Sequence, residues 1–311
     1  MVDSEYKTIL YAMGVLFSLL QLFLLSACIR ENRSDCLPEA EERFIVLKVM
    51  DAVSGQNLTE TGEVGSAEVY LFTPEGKYVG QVSLDSDRIM HHIPVLLPGD
   101  RFERYYVSVW ANAEDGQQMS EMDGESSSDV RAVSLIKGED DYHQTPDDLF
   151  FGYAQLALTG EKSPEEITIV RKNAKMHITV RGLNGNIPGE YYYFTIQTPN
   201  DGYDFQGNLM SGASMVYKAG KFDIYGNFST QETFNMIHTA SSDEVTVSLY
   251  EKPIGRATDK LVVSVTNDND GMPISLPVGR TVNLLIDMGE EDIVVRTEVT
   301  PWNEIYQWEI W

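Results

Sequence analysis

The 311 residues carry 48 Asp and Glu against 23 Lys and Arg, a formal net charge of −25. A chain this acidic is repelled by nucleic-acid phosphates and anionic headgroups, which excludes nucleic-acid binding. With 42% hydrophobic residues and 4 Trp, 16 Tyr and 12 Phe it can fill more than one core. That excludes disorder throughout and fits about two domains at roughly 150 residues each.

From Ile9 to Ala27 the chain runs 19 residues without a charge. That length lies near the ~20 of a transmembrane helix and above the roughly 7–15 of a secretory apolar region. The start is not clearly positive, because Asp3 and Glu5 oppose Lys7 and the α-amine. Leu25-Ser26-Ala27-Cys28 resembles the lipobox of bacterial lipoproteins. The resemblance implies that Cys28 is joined to diacylglycerol and that residues 1–27 are a signal peptide cut away in front of it. Residues 28–42 then form a lipidated tether, held in the bilayer at ~0.8 kcal/mol per buried CH₂. An uncleaved anchor helix that ends in Ser-Ala-Cys is the alternative. Cys36, the only other cysteine, also lies in the tether, so no disulfide staples either predicted domain.

Past Phe44 the pattern is of short strands divided by Gly, Pro, Asn and Asp. FIVLKVM (44–50) is nearly continuous apolar, and EVYLFTPEGKYVGQVSL (68–84) reads as a hairpin about Pro74-Glu75-Gly76-Lys77. In 93–113, after a Pro98-Gly99 turn, Tyr105, Val107 and Val109 alternate with Tyr106, Ser108 and Trp110. Gly160–Glu166 is the best linker. Beyond it, KMHITVRG places Met176, Ile178 and Val180 on one face and His177, Thr179 and Arg181 on the other, the latter expected to be solvated. Residues 245–250, 261–266 and 281–288 repeat the period of two, and Trp302, Tyr306, Trp308 and Ile310 share a parity in a last strand region, 302–311. Alternation in both halves argues for two consecutive antiparallel β-sandwiches, an N-terminal one over 43–160 and a C-terminal one over 161–311. Residues 129–138 and 230–238 compete as short helices.

Signals for chemistry are weak. His91, His92, His143, His177 and His238 fall in no zinc-site spacing. No nucleophile elbow, phosphate loop or dinucleotide fingerprint occurs, so no catalytic, cofactor or metal residue is assigned. Asn267-Asp268-Asn269-Asp270-Gly271 fails the EF-hand frame at Thr266 and Pro277 and reads as a hairpin turn. The longest irregular segment, 114–148, holds 11 acidic residues against Arg131 and Lys137, a balance of −9. It is expected to be solvated, with a contact surface for a basic partner as the alternative.

In order, the lipobox, ENRSDC (31–36), TPEGKYV (73–79), LPGDRFERYYVSVWAN (97–112), DDLFFG (147–152), IVRKNAKMHITVRGL (169–183) and VTPWNEI (299–305) resemble the FimB-type fimbrial anchor lipoproteins of Bacteroidetes. The resemblance implies two transthyretin-like domains, no enzymatic activity and no cofactor. It implies a lipid anchor at Cys28 that holds the base of a fimbrium at the cell outer membrane. Its partners would be fimbrial shaft or accessory subunits, joined by strand addition, and a subunit fixed at the membrane would limit fibre length. Trp302, Tyr306, Trp308 and Ile310 are candidate partner contacts, with an ordinary final core strand as the alternative. Shaft and tip fimbrillins of similar fold lose a leading strand to an Arg- or Lys-specific protease. Arg43 stands where such a cut would free the chain from Cys28. A glycan-binding surface lipoprotein, with Tyr191–Tyr193, Trp308 or Trp311 stacking on sugars, and a lipid-anchored hydrolase are the competing readings.

Overall fold

A strand that alternates apolar side chains on both of its faces must be covered twice, and the first half of the chain is built that way. In the computed structural model, which describes residues 42–98, 104–138, 140–157, 163–183, 188, 191–240, 245–252, 258–289 and 292–308, β1 (Phe44–Met50) turns Ile45, Leu47 and Val49 into a core at 0–1% exposure. β2 (Ser66–Phe72) and β3 (Tyr78–Asp85) form the expected hairpin. Helix α1 (Ser86–Met90) is capped by Asp85, which accepts from the Arg88 amide at 3.0 Å. After β4 (Val95–Leu96) comes β5 (Arg104–Ala111), whose Tyr105, Val107, Val109 and Ala111 enter the same core while Trp110 points to the other face.

β6 (Gln117–Met119) and β7 (Arg131–Leu135) precede β8 (Phe150–Ala157) and β9 (Glu165–Arg171). The first sheet runs β3-β2-β5-β8-β9-β1-β4. All its ladders are antiparallel except β1–β9, which is parallel from Ile45↔Glu165 to Met50↔Val170. β9 lies beyond the expected border at 160/161 yet still pairs with the first strand. The chain passes to the next sheet at Lys172, between β9 and β10 (Asn173–Arg181).

The remaining strands are β11 (Tyr192–Asp204), β12 (Leu209–Ala219), β13 (Lys221–Phe222), β14 (Phe228–Ser229), β15 (Phe234–Ile237), β16 (Thr246–Glu251), β17 (Lys260–Val265), β18 (Arg280–Met288) and β19 (Ile293–Pro301). One sheet has the order β13-β14-β10-β18-β19 with β15 also on β10. The other has β17-β16-β11-β7-β6 with β12 also on β11. Their facing sides enclose a second core of Met176, Ile178, Val180, Phe194, Ile196, Val247, Leu284 and Ile286, all fully buried. β10 and β18 are parallel, so each half closes on a parallel ladder that starts from its first strand. The architecture is all-β, with mixed rather than wholly antiparallel sheets.

Two expectations change here. Residues 129–138 and 230–238 supply the strands β7 and β15, not helices, because Ala132, Val133 and Leu135, and Phe234, Met236 and Ile237, are needed in cores. Segment 114–148 is therefore not simply a solvated loop. It hands β6 and β7 to a sheet of the second half, where Gly202 admits the close approach: a Cβ there would lie 2.0 Å from the Val133 carbonyl oxygen. A third core joins the halves, made of Tyr70, Phe72, Trp110 and Phe151 from the first sheet's outer face with Val133, Tyr203 and Phe205.

Candidate functional site

Three places concentrate polar and aromatic contacts: the start of β1, the charged seam at Lys172, and residues 302–308. Cys28 and its lipobox, Leu25, Ser26 and Ala27, lie outside the described residues, as do Ile310 and Trp311. At the start, the Arg43 guanidinium packs 5.1 Å from the Tyr105 ring centroid, and its terminal nitrogens are buried. The Arg43 carbonyl accepts from Leu97 N at 2.9 Å. β1 then lies between β9 and β4.

At the seam a single guanidinium gathers three carboxylates. Arg171, 5% exposed, meets Asp148 at 3.1 Å, Asp51 at 3.4 Å and Glu63. Its plane lies 4.9 Å from Phe150 and 4.8 Å from Trp302. Burial pushes the Asp148 carboxyl up to about 7 against the pull of Lys175. Burial lowers Arg171 to about 10, opposed by Asp51. Beside this cluster, Lys172 lies over Phe151 and Tyr203 at 5.1 and 5.4 Å. The Tyr203 hydroxyl meets His238 Nδ1 at 2.9 Å and donates to the Lys172 carbonyl at 3.2 Å. Burial, with Lys172 nearby, lowers His238 to about 4. Among the described residues no group of His, Cys, Asp and Glu is arranged to hold a metal ion.

Residues 302–308 are not part of the expected strand. β19 stops at Pro301, and residues 302–308 form an irregular strap over the outer face of β10 and β18. Trp302 covers Lys175 at 4.6 Å as well as Arg171. Asn303 N donates to Thr281 Oγ1 at 3.1 Å, Tyr306 N donates to Asn283 Oδ1 at 3.0 Å, and Arg181 donates to the Trp308 carbonyl at 3.2 Å. Lys175, His177, Thr179 and Arg181 face Thr281, Asn283, Leu285 and Asp287 in register, so the strap runs along this row. That explains why His177, expected on a solvated face, is only 6% exposed. Of the four candidate contact residues, Trp302 is committed to the two cations. Tyr306 and Trp308 meet edge to face at 4.8 Å, with Tyr306 38% exposed.

The sheet edges differ in how far they are closed. Asn267–Gly271 is the expected turn: Asp268 Oδ1 accepts from the amides of Asp270 and Met272 at 3.0 and 2.9 Å. It also grips β19, since Asn269 pairs with the Val295 amide and carbonyl and Asp268 accepts from Thr297 Oγ1 at 3.2 Å. By strand alternation Thr297 and Val299 also turn their backbone outward. No strand lies beyond β19 among the described residues. Of the three tyrosines weighed for sugar stacking, Tyr192 and Tyr193 are turned inward and Tyr191 is half-buried. Tyr192 and Tyr193 are each 4% exposed, and Tyr193 is stacked on Tyr217 and Tyr250 at 5.0 and 5.3 Å.

The described residues thus form an all-β body whose outer row on β10 and β18 is covered by the strap and whose β19 edge carries no further strand. Residues 35–308 match the family of fimbrillin-A associated anchor proteins Mfa1 and Mfa2, and the chain belongs to that family. The major fimbrium anchoring subunit FimB of Porphyromonas gingivalis is 24% identical over 309 residues, 96% of this chain and 97% of that protein. In fold the chain is similar to the fimbrial anchor protein Mfa2 of P. gingivalis, with a TM-score of 0.59 at 16% identity over 85% of this chain and 99% of that one. It is also similar to a candidate polysaccharide-binding protein of Bacteroides thetaiotaomicron, with a TM-score of 0.63 at 17% identity over 86% and 98%.

Proposed function

We propose that the chain is a non-enzymatic lipoprotein of the cell outer membrane that anchors a fimbrium at its base. The observation that carries this reading is the family match across residues 35–308. Acyl chains on Cys28 would supply the membrane hold, and residues 28–42 would tether the body to it. Retention of the tether is favoured by β1. Ile45, Leu47 and Val49 are buried core residues paired with β9, Ile45 also with β4, and Arg43 packs against Tyr105 instead of standing clear for a protease. Cutting after Arg43, as a polymerising fimbrillin would require, would free the body from Cys28 and leave β1 as the first segment of the remaining chain.

Joining to a shaft or accessory subunit is assigned to strand addition, in which main-chain hydrogen bonds give affinity and alternating side chains give register. The outer edge of β19 past Val295 is the edge best suited to accept such a strand. A subunit fixed to the membrane offers no second polymerising end, so fibre length would depend on its supply. The test is the intact mass of the membrane-extracted protein beside a Cys28→Ala variant. A chain that starts at Cys28 with added acyl mass, absent in the variant, is expected. An acyl-free chain starting at Phe44 would replace the anchor by a polymerising subunit.

A further inference from the structure

An edge strand offers its main-chain donors and acceptors to any other strand, so a long edge that stays unpaired has to be blocked. β12 is such an edge. Its 11 residues pair with β11 on one side, and no strand lies on its other side among the described residues. Its own sequence, LMSGASMVYKA, does little to block it. It has no proline, and its single charge, Lys218, is turned onto the Phe234 ring at 5.0 Å. Strands with so little charge and no proline pair readily with copies of themselves. The net charge of −25 repels a second copy only until salt screens it, beyond about 8 Å at physiological ionic strength, so charge alone does not protect the edge.

Two residues from outside β12 supply the block. The His143 amide donates to the Met215 carbonyl at 2.7 Å, and the Met215 amide donates back to His143 Nδ1 at 3.1 Å. One residue thus takes both main-chain groups that Met215 turns away from β11, and its ring nitrogen stands where an added strand would put a carbonyl. Two residues along the same edge, the Tyr217 ring lies 5.6 Å from that of Tyr142. Toward the other end of the strand, Arg131 Nη2 donates to the Ser211 carbonyl at 3.2 Å while Nη1 is paired with Asp201. His143 is free to do this because of how it is held. Gly138 N donates to the Tyr142 carbonyl and Gln144 N to the Ile136 carbonyl, both at 2.8 Å. These bonds flank Lys137 and His143, which face each other without a bond of their own, so the His143 amide is left for β12.

We propose that His143, with Arg131, is an edge guard: it holds the β12 edge shut, and where it is removed a second copy of this chain adds its own β12 to that edge. The guard stands apart from the anchoring role and from the joint assigned to β19, since it concerns only what keeps two copies of the chain from pairing.

The test replaces His143 with proline in the full-length chain, purified in detergent, and follows protein mass by sedimentation velocity. Proline removes the amide and the imidazole together, and so both bonds to Met215, while the bonds at Gly138 and Gln144 are left. The wild type is expected to stay a monomer, and His143→Pro to approach twice the protein mass as concentration rises. His143→Asn should stay a monomer, because its amide and its Oδ1 can make the same two bonds. A folded His143→Pro chain that remains a monomer overturns the guard. So does a wild type that already dimerises, or a His143→Asn chain that dimerises as His143→Pro does. Amide exchange in the wild type decides without any variant. By alternation Tyr217 also turns its N–H away from β11, so the Met215 amide should exchange at least about tenfold more slowly than that of Tyr217. Equal exchange at the two positions means that the edge stands open and overturns the guard. None of these outcomes touches the acylation of Cys28, on which the anchor reading is tested.

Discussion

β1 and the strap from Trp302 to Trp308 both close a sheet near a chain end, but different forces hold them. β1 is bonded by main-chain ladders to β9 and β4 and turns three fully buried aliphatic side chains into the first core. The strap has no ladder. It is fixed by side chains of the row beneath it, chiefly Thr281, Asn283 and Arg181, and by two cations under Trp302. Removing β1 exposes a core; lifting the strap exposes a polar row that water can solvate. β1 is thus a fixed part of the fold, and residues 302–308 are a cover held by a few specific contacts.

The comparison breaks most sharply at Leu47. Leu47→Ala should cost about 3–4 kcal/mol, the transfer loss plus a cavity at a fully buried position. The midpoint of urea unfolding should fall accordingly, and a loss under 1 kcal/mol would mean that β1 is as loosely held as the strap. Next comes Arg171→Ala, which leaves Asp51, Glu63 and Asp148 facing one another around an empty seam. A loss of about 3 kcal/mol is expected, with Arg171→Lys recovering only part because the ammonium cannot serve three carboxylates in one plane. If Arg171→Ala proves neutral, the three acids are solvated and the seam is not held by charge.

Much of this was legible in the sequence and some of it was not. The hairpin about Pro74–Lys77, the alternation of β5 and the Asn267–Gly271 turn follow from local chemistry, and the structure has all three. His177 was misplaced because the period of two separates two faces without saying whether the outer face is covered, and the strap that covers it comes from residues 302–308. Segment 114–148 looked solvated because its acids dominate the composition. The short apolar run Ala132–Leu135 pairs with a strand some 70 residues later, and no local pattern reports a long-range ladder. The Arg171 cluster draws on positions 51, 63, 148 and 302, too scattered to register as a motif.

Acid gives a smaller and two-signed test. His238 has a folded pKa of about 4 against an ordinary 6.5. The unfolded chain therefore binds the extra proton first, and this group's contribution is lost as pH falls from 6.5 toward 4. Asp148, raised to about 7, runs the other way: the folded chain keeps its proton longer, so its contribution is lost as pH rises from about 4 to 7. The two should largely cancel in the native protein. Replacing His238 with Gln should then leave stability rising by on the order of 2 kcal/mol, relative to the native protein, between neutral pH and about pH 4.5. Asp148→Asn should steepen the acid loss by a similar amount. Parallel pH profiles for all three proteins would place both groups in water.

Trp302→Ala is the mildest change and the one that separates the two chain ends most directly. The ring lies 4.8 Å from the Arg171 guanidinium carbon and 4.6 Å from the Lys175 nitrogen, and each such contact is worth ~0.5–1 kcal/mol. A total loss near 1 kcal/mol is expected, too small to unfold a domain but enough to loosen a cover that has no ladder. Amide hydrogen exchange should therefore quicken at Asn303 and Tyr306, whose N–H groups reach the side chains of Thr281 and Asn283, while Ile45–Val49 stay as protected as in the native protein. Trp302→Phe should keep part of the protection, because a smaller aromatic face still attracts the two cations. If the strap amides exchange no faster in Trp302→Ala, then Thr281, Asn283 and Arg181 suffice to fix the strap and the aromatic ring is a passenger. If β1 loosens together with the strap, the seam transmits the loss and the two ends are one cooperative unit.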